Sequence, residues 1–173
     1  MAKKEKGWKQ DVFEIFLAFA IAWFGYQAIG YAAGTSLPIV AVVSDSMYHT
    51  AEFDQWWNAK AGQYGELNIT KGQFMSFPFR SGLSKGDLLI VVNQQPKIGD
   101  VIIYERFGGF TIVHRLVETN GQYVTRGDNN PVSDPPIGKP QVRGKVIFAV
   151  PLLGYPRLIV NKLIDKIHEI SLI

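Results

Sequence analysis

At 173 residues the chain has room for one domain and an appendage, and an apolar content of 47% is enough to bury a core. The formal charge of +3 is mild and partly spent on four lysines in the first nine residues, so no basic stripe marks a nucleic-acid surface. With no cysteine, disulfides, thiolate catalysis and cysteine-ligated metal are excluded.

The first element is an apolar run. Between Ile15 and Ser44 there is no Asp, Glu, Lys or Arg. A bilayer core is crossed by roughly 20 largely apolar residues in a helix, which predicts a single-pass membrane anchor over 15–35. Gly34 and Pro38 stop the helix. Lys3, Lys4, Lys6 and Lys9 precede it, which predicts a cytoplasmic N-terminus (1–14) and an extracytoplasmic remainder. A cleavable signal peptide shares the lysine-rich start, but its apolar core is only ~7–15 residues long. An uncleaved anchor is therefore expected.

From 36 to 150 short β-branched runs alternate with turn residues, the signature of a mainly β, antiparallel domain. Strands are predicted at Ile39–Val43, Leu88–Val92, Val101–Tyr104, Phe110–Glu118, Tyr123–Arg126 and Val142–Val150. Lys85-Gly-Asp87 and Gly99-Asp100 stand before two of them as a shared turn device. Residues 49–84 differ. They hold Trp56-Trp57, Tyr64 and Phe74–Phe79 between glycines, and read as a partly helical insertion whose aromatics pack on the domain. A bilayer-surface role for those rings is the alternative, because Trp and Tyr favour that interface. Asn68-Ile-Thr70 is a glycosylation sequon. The segment 151–173 closes the chain with apolar residues at helical spacing broken by Lys162, Asp165, Lys166 and Glu169. It reads as an amphipathic helix, placed on the membrane surface or on the domain.

Chemistry is carried by three pieces. Ser44-Asp-Ser-Met47 follows the first strand, and its two serines, two apart, point the same way on an extended chain. A serine hydroxyl becomes a nucleophile when a base takes its proton. His114 lies within a strand, on one face with Ile112 and Leu116. Alone it reads as a core histidine. Gly127-Asp-Asn-Asn-Pro-Val-Ser-Asp134 then offers two carboxylates, either able to orient an imidazole. In this order the pieces suggest an anchored serine hydrolase. A lysine base (Lys85, Lys97 or Lys145) and a non-enzymatic tethered β domain that binds a protein partner, through Trp56–Trp57, are the competing readings.

The sequence resembles type I signal peptidases of the archaeal and endoplasmic-reticulum kind. The resemblance rests on Ser44-Asp-Ser-Met47 behind an anchor, Ile112-Val-His-Arg-Leu116, Arg126-Gly-Asp-Asn-Asn130 with Asp134, Lys85-Gly-Asp87 and Lys97-Ile-Gly-Asp100. It covers most of residues 10–150. It implies a membrane-bound endopeptidase that removes signal peptides from secreted preproteins after small residues. Ser46 is then the nucleophile, His114 the general base, Asp134 the triad acid, Asp128 a supporting acid and Ser44 an oxyanion donor. Met47 and Val43 are expected to line the substrate pockets. No metal or other cofactor is expected. Expected partners are signal peptides and membrane lipid, with the translocation machinery or accessory subunits as further candidates. An imidazole titrates near pH ~6.5 in water and acts as a base only when neutral, so activity is expected to fall below that pH.

Overall fold

In a computed structural model of the chain, which describes residues 7–106, 108–156 and 159, a long helix leads into a six-stranded sheet. Helix α1 spans Trp8–Ala33, begins ahead of the apolar run and is long and apolar enough to cross a membrane. None of its residues is buried. Gly34 closes it in the left-handed region (φ 65°), and the N–H groups of Gly34 and Thr35 return to the Tyr31 and Gly30 carbonyls. The end of α1 is tied to the sheet. Asn93 donates its N–H to the Ala33 carbonyl at 2.8 Å, and the Thr35 hydroxyl donates to the Arg143 carbonyl at 2.6 Å.

The strands are β1 (Ile39–Ala41), β2 (Leu88–Val92), β3 (Val101–Arg106), β4 (Phe110–Asn120), β5 (Gln122–Arg126) and β6 (Val142–Val150). Every pair is antiparallel, in the order β1-β2-β6-β3-β4-β5. The mainly β expectation holds, and β2 and β6 match their expected bounds end to end. Register shifts at Ile90/Val91, Ile103/Tyr104 and Leu116/Glu118 break the ladders. Such irregularities bend and twist a sheet. The sheet accordingly rolls until Val40 of β1 and Val113 of β4, with three strands between them in the order, share one apolar cluster with Met47, Leu89 and Ile103. A second cluster on the opposite face joins Ile102, Tyr104 and Leu116 to Tyr123 and Ile137. Both faces of β3 are thus buried, which is why Val101–Tyr104 is a continuous apolar run rather than an alternating one.

The two Gly-Asp turns are one device. Gly86 and Gly99 both take φ 95°, a conformation that L side chains rarely adopt. The following aspartate then accepts a backbone N–H from three residues back: Ser84 to Asp87 at 2.8 Å, Lys97 to Asp100 at 3.0 Å.

The insertion is partly helical, as expected: α2 covers Phe53–Gly65 and α3 covers Lys71–Met75. Thr70 and Gln73 form a capping box at the start of α3. Trp56, Trp57, Tyr64, Ile69 and Phe74 are buried against one another and against Val117 of β4. Burying one such ring contributes about 1.5–3 kcal/mol, whereas the exposed Lys71–Asp54 pair (2.9 Å) contributes less than about 1 kcal/mol. Apolar packing therefore holds the insertion. Neither tryptophan is left for a bilayer surface or for a partner. Past β6, Gly154 donates its N–H to the Gly86 carbonyl at 2.8 Å. The amphipathic helix expected beyond this point lies outside the described residues, apart from 155–156 and 159.

Candidate active site

The site forms where the rolled sheet leaves a gap between the chain leaving β1 and the first half of β4. Val42 stays tied to the β2 turn, with its N–H on the Asp87 carbonyl at 2.9 Å. The chain then departs from the sheet, which is why β1 is shorter than the expected Ile39–Val43. Met47 is buried in the core and its carbonyl accepts from Leu83 N–H at 2.9 Å. Ser46 is thus held one residue before a buried anchor. The hydroxyls of Ser44 and Ser46 are 3.1 Å apart, within hydrogen-bond reach.

His114 enters from β4, opposite Ile102, with the Tyr104 ring edge-on at 6.5 Å between centroids. Its Nδ1 lies 2.6 Å from Asp134 Oδ2. An ionised carboxylate only accepts, so Nδ1 carries the proton and Nε2 of the neutral ring is left as the basic atom. Asp134 is itself fixed: Thr125 Oγ1 donates to Oδ2 at 2.7 Å, and Asp134 N–H donates to the Thr125 carbonyl at 2.7 Å. Burial pushes the Asp134 carboxyl up, but the His114 bond and charge and the Thr125 bond outweigh it, holding the group below the usual carboxylate range.

Gly127 marks the approach of His114 to the backbone of Ser46. A methyl group added there would stand 2.8 Å from His114 Nε2 and 2.7 Å from the Ser46 carbonyl oxygen, inside contact distance of both. The loop after Gly127 also grips the Ser46 segment, Asn129 donating its N–H to the Ser46 carbonyl at 2.8 Å. Ser44, Ser46, Met47, His114 and Asn130 line one groove of about 530 Å³, with Val43 half-exposed on its wall. Buried Met47 supplies floor rather than rim. Among the described residues no lysine lines this groove, and Lys145 instead donates to Asp100 at 3.3 Å.

Asp128 goes elsewhere. It is fully buried and pairs with Arg115, which donates Nε to Oδ1 at 2.9 Å and a terminal nitrogen to Oδ2 at 2.7 Å. His49 and Tyr64 donate to the same carboxylate at 3.0 and 2.9 Å. Burial raises its pKa, but Arg115 and these bonds bring it down to about 2. Of the two acids considered from sequence, Asp134 meets the imidazole and Asp128 meets the guanidinium. His49, Tyr64, Thr125, Gly127 and Asn130 were not expected from sequence as site residues. Only Gly127 and Asn130, inside the recognised motif, carried a signal there.

No protein-family model matches the chain. It is 29% identical over 163 residues to the signal peptidase complex catalytic subunit SEC11 of Scheffersomyces stipitis, covering 83% of this chain and 78% of the relative. It is 27% identical over 132 residues to the subunit of the same name from Clavispora lusitaniae (72% and 60%). To that of Schizosaccharomyces pombe it is 25% identical over 130 residues (72% and 62%). Against these last two, the chain spans about three fifths of the relative's length. The relatives are eukaryotic, so they lend no support to the archaeal half of the resemblance. The chain is thus similar, over most of its length, to catalytic subunits of the signal peptidase complex.

Proposed function

We propose that this chain is a membrane-bound serine endopeptidase that removes signal peptides from secreted preproteins after small residues. The carrying observation is the His114–Asp134 bond of 2.6 Å, beside a groove that His114 shares with Ser44 and Ser46. The homology to signal peptidase catalytic subunits supports the same reading.

In this reading Ser46 Oγ attacks the scissile carbonyl while His114 Nε2 takes its proton. Asp134 holds the ring in the required tautomer and stabilises the imidazolium. Ser44 turns its hydroxyl from Ser46 to the oxyanion, alongside the Ser46 backbone N–H. The imidazolium returns the proton to the leaving amine, and water activated by the same ring releases the acyl-enzyme. Asp128 supports the site through Arg115 rather than through His114.

The substrate binds extended, adding a strand by backbone hydrogen bonds. Support comes from β4, where β5 pairs only from Arg115 onward and leaves the Phe110–Val113 edge beside the groove. Apolar side chains around Val43 and Met47 receive the small residues ahead of the cut.

The domain layout follows from the anchor: 1–14 cytoplasmic, 15–35 across the cell membrane, 36–150 extracytoplasmic and catalytic, and 151–173 amphipathic. About 13 residues separate the anchor's end from Ser46, at most ~45 Å of chain. The Asn93–Ala33 and Thr35–Arg143 bonds shorten that reach, which supports a position of Ser46 near the outer membrane face. Partners are signal peptides and lipid, with accessory subunits suggested by the word "complex" in the relatives' name. The test is cleavage of a preprotein by the purified, detergent-solubilised chain, with the new N-terminus read by mass spectrometry. A single cut after a small residue supports the reading; no cut, or cuts scattered through the preprotein, contradicts it.

A further inference from the structure

The 49–84 insertion reaches the loop Gly127–Asn130 and the residue before it by four polar contacts. His49 Nε2 donates to Asp128 Oδ2 at 3.0 Å, and the Tyr64 hydroxyl donates to Oδ1 at 2.9 Å. Lys60 Nζ donates to the Asn129 carbonyl at 3.0 Å, and Arg126 donates to the Gln63 side chain. The loop's other side holds the reacting pair. Asn129 grips Ser46 through its N–H at 2.8 Å and Asp45 through its side-chain amide at 3.2 Å, while Gly127 abuts His114 Nε2. The loop is a plate with the insertion behind it and the nucleophile and base in front.

Arg115 already satisfies Asp128 in a two-pronged pair, so neutralising the acid does not require His49 and Tyr64. What they add is placement. His49 follows Ser46 by three residues, and its bond to Asp128 ties the two sides of the Ser46–loop contact into a closed ring of connections. The imidazole has little freedom: it stacks on Trp56 at 3.6 Å and 8°, and it lies so near Gly82 that a methyl group there would stand 2.6 Å from the ring. Among the described residues its Nδ1 has no hydrogen-bond partner, so the bond to Asp128 is the ring's one polar tie there.

We propose that His49, Lys60 and Tyr64 are positioning residues, by which the insertion holds the 127–130 loop against Ser46 and His114 and sets the separation across which the proton passes. The proposal rests on the proteolytic reading above. A displacement of 1 Å between reacting groups can cost about 100-fold in rate, so loosening the plate is expected to act on turnover more than on binding.

The experiment uses the full chain in detergent with His49→Leu, His49→Gln, Lys60→Met and Tyr64→Phe. Preprotein cleavage gives kcat and KM, and hydrogen-exchange mass spectrometry follows the peptide carrying the Asn129 and Asn130 amides. His49→Leu and Tyr64→Phe are expected to lower kcat about 10-fold or more with KM within about 2-fold. The loop peptide should exchange faster while β2 and β3 stay protected, and the amide donor of His49→Gln should restore most of both. Unchanged loop exchange overturns the proposal, as does kcat that falls only in step with the unfolded fraction. If wild type and Ser46→Ala are equally inactive, the proteolytic reading fails; loop exchange in these variants still decides whether the insertion braces the loop.

Discussion

His114 and Arg115, neighbours on β4, divide two acids between them: His114 meets Asp134 at 2.6 Å and Arg115 meets Asp128 at 2.7 Å. Successive strand residues point to opposite faces, so two carboxylates six positions apart in one loop end on opposite sides of the sheet. The proposed mechanism uses the His114–Asp134 pair and leaves Arg115–Asp128 as a buried ion pair.

The two acids should therefore fail differently. Asp134→Ala is expected to lower kcat about 1,000-fold or more with little loss of stability, because the imidazole loses its tautomer and its counter-charge. Asp128→Ala leaves Arg115 buried without its partner, a loss of about 3–5 kcal/mol, with a smaller fall in kcat per folded molecule. Thermal unfolding paired with cleavage kinetics checks both. The reverse ranking in kcat would mean that Asp128 orients the base.

Acid stability follows from the same pair. The Asp128 carboxyl titrates at about 2 in the folded chain and near ~4 when unfolded. Between those values the unfolded state binds the extra proton, so stability rises with pH there. This group's contribution, about 2 kcal/mol, is complete above pH ~4 and is lost as pH falls through 2. Asp134, also held low, acts in the same sense. Urea unfolding between pH 5 and 2 reads the trend; a midpoint that stays level or rises on acidification contradicts it.

Gly127→Ala tests the closeness of His114 and Ser46. The new methyl would meet His114 Nε2, the Ser46 carbonyl and the Asn130 amide, all within 2.8 Å. Overpacking of this kind costs about 1–3 kcal/mol, and kcat should fall at least about 10-fold as the pair is pushed apart. Wild-type turnover in this variant would show that the two groups have room to spare.

Ser44→Ala separates the two serines. A lost oxyanion donor costs about 100- to 1,000-fold in kcat, and KM should change little. A rate within about 2-fold of wild type would leave the oxyanion to backbone donors alone.

The elements that were legible in the sequence are those bounded by strong punctuation. Strand β2 sits between Lys85-Gly-Asp87 and a polar stretch leading to Pro96, and β6 ends at Pro151. Strand β4 runs past its expected end to Asn120, because Gly121 turns the chain at once and the ladder with β5 closes down to Asn120 opposite Gln122. Ser46, His114 and the two carboxylates Asp128 and Asp134 stood out as candidates from their order along the chain, and the preference for Asp134 came from the family resemblance. The bond between His49 and Asp128 was not: 79 residues separate them, and His49 sits in a segment without a motif. Nor does spacing tell which acid faces which neighbour on β4. That depends on the roll of the sheet and the path of the loop after Gly127.

The most direct measurement of the central claim is preprotein cleavage by the full chain beside Ser46→Ala and His114→Ala, each shown by circular dichroism to be folded. The account predicts that cleavage by wild type disappears in both variants, a loss of at least about 1,000-fold. Cleavage retained in either folded variant would contradict the assignment of Ser46 as nucleophile or of His114 as its base.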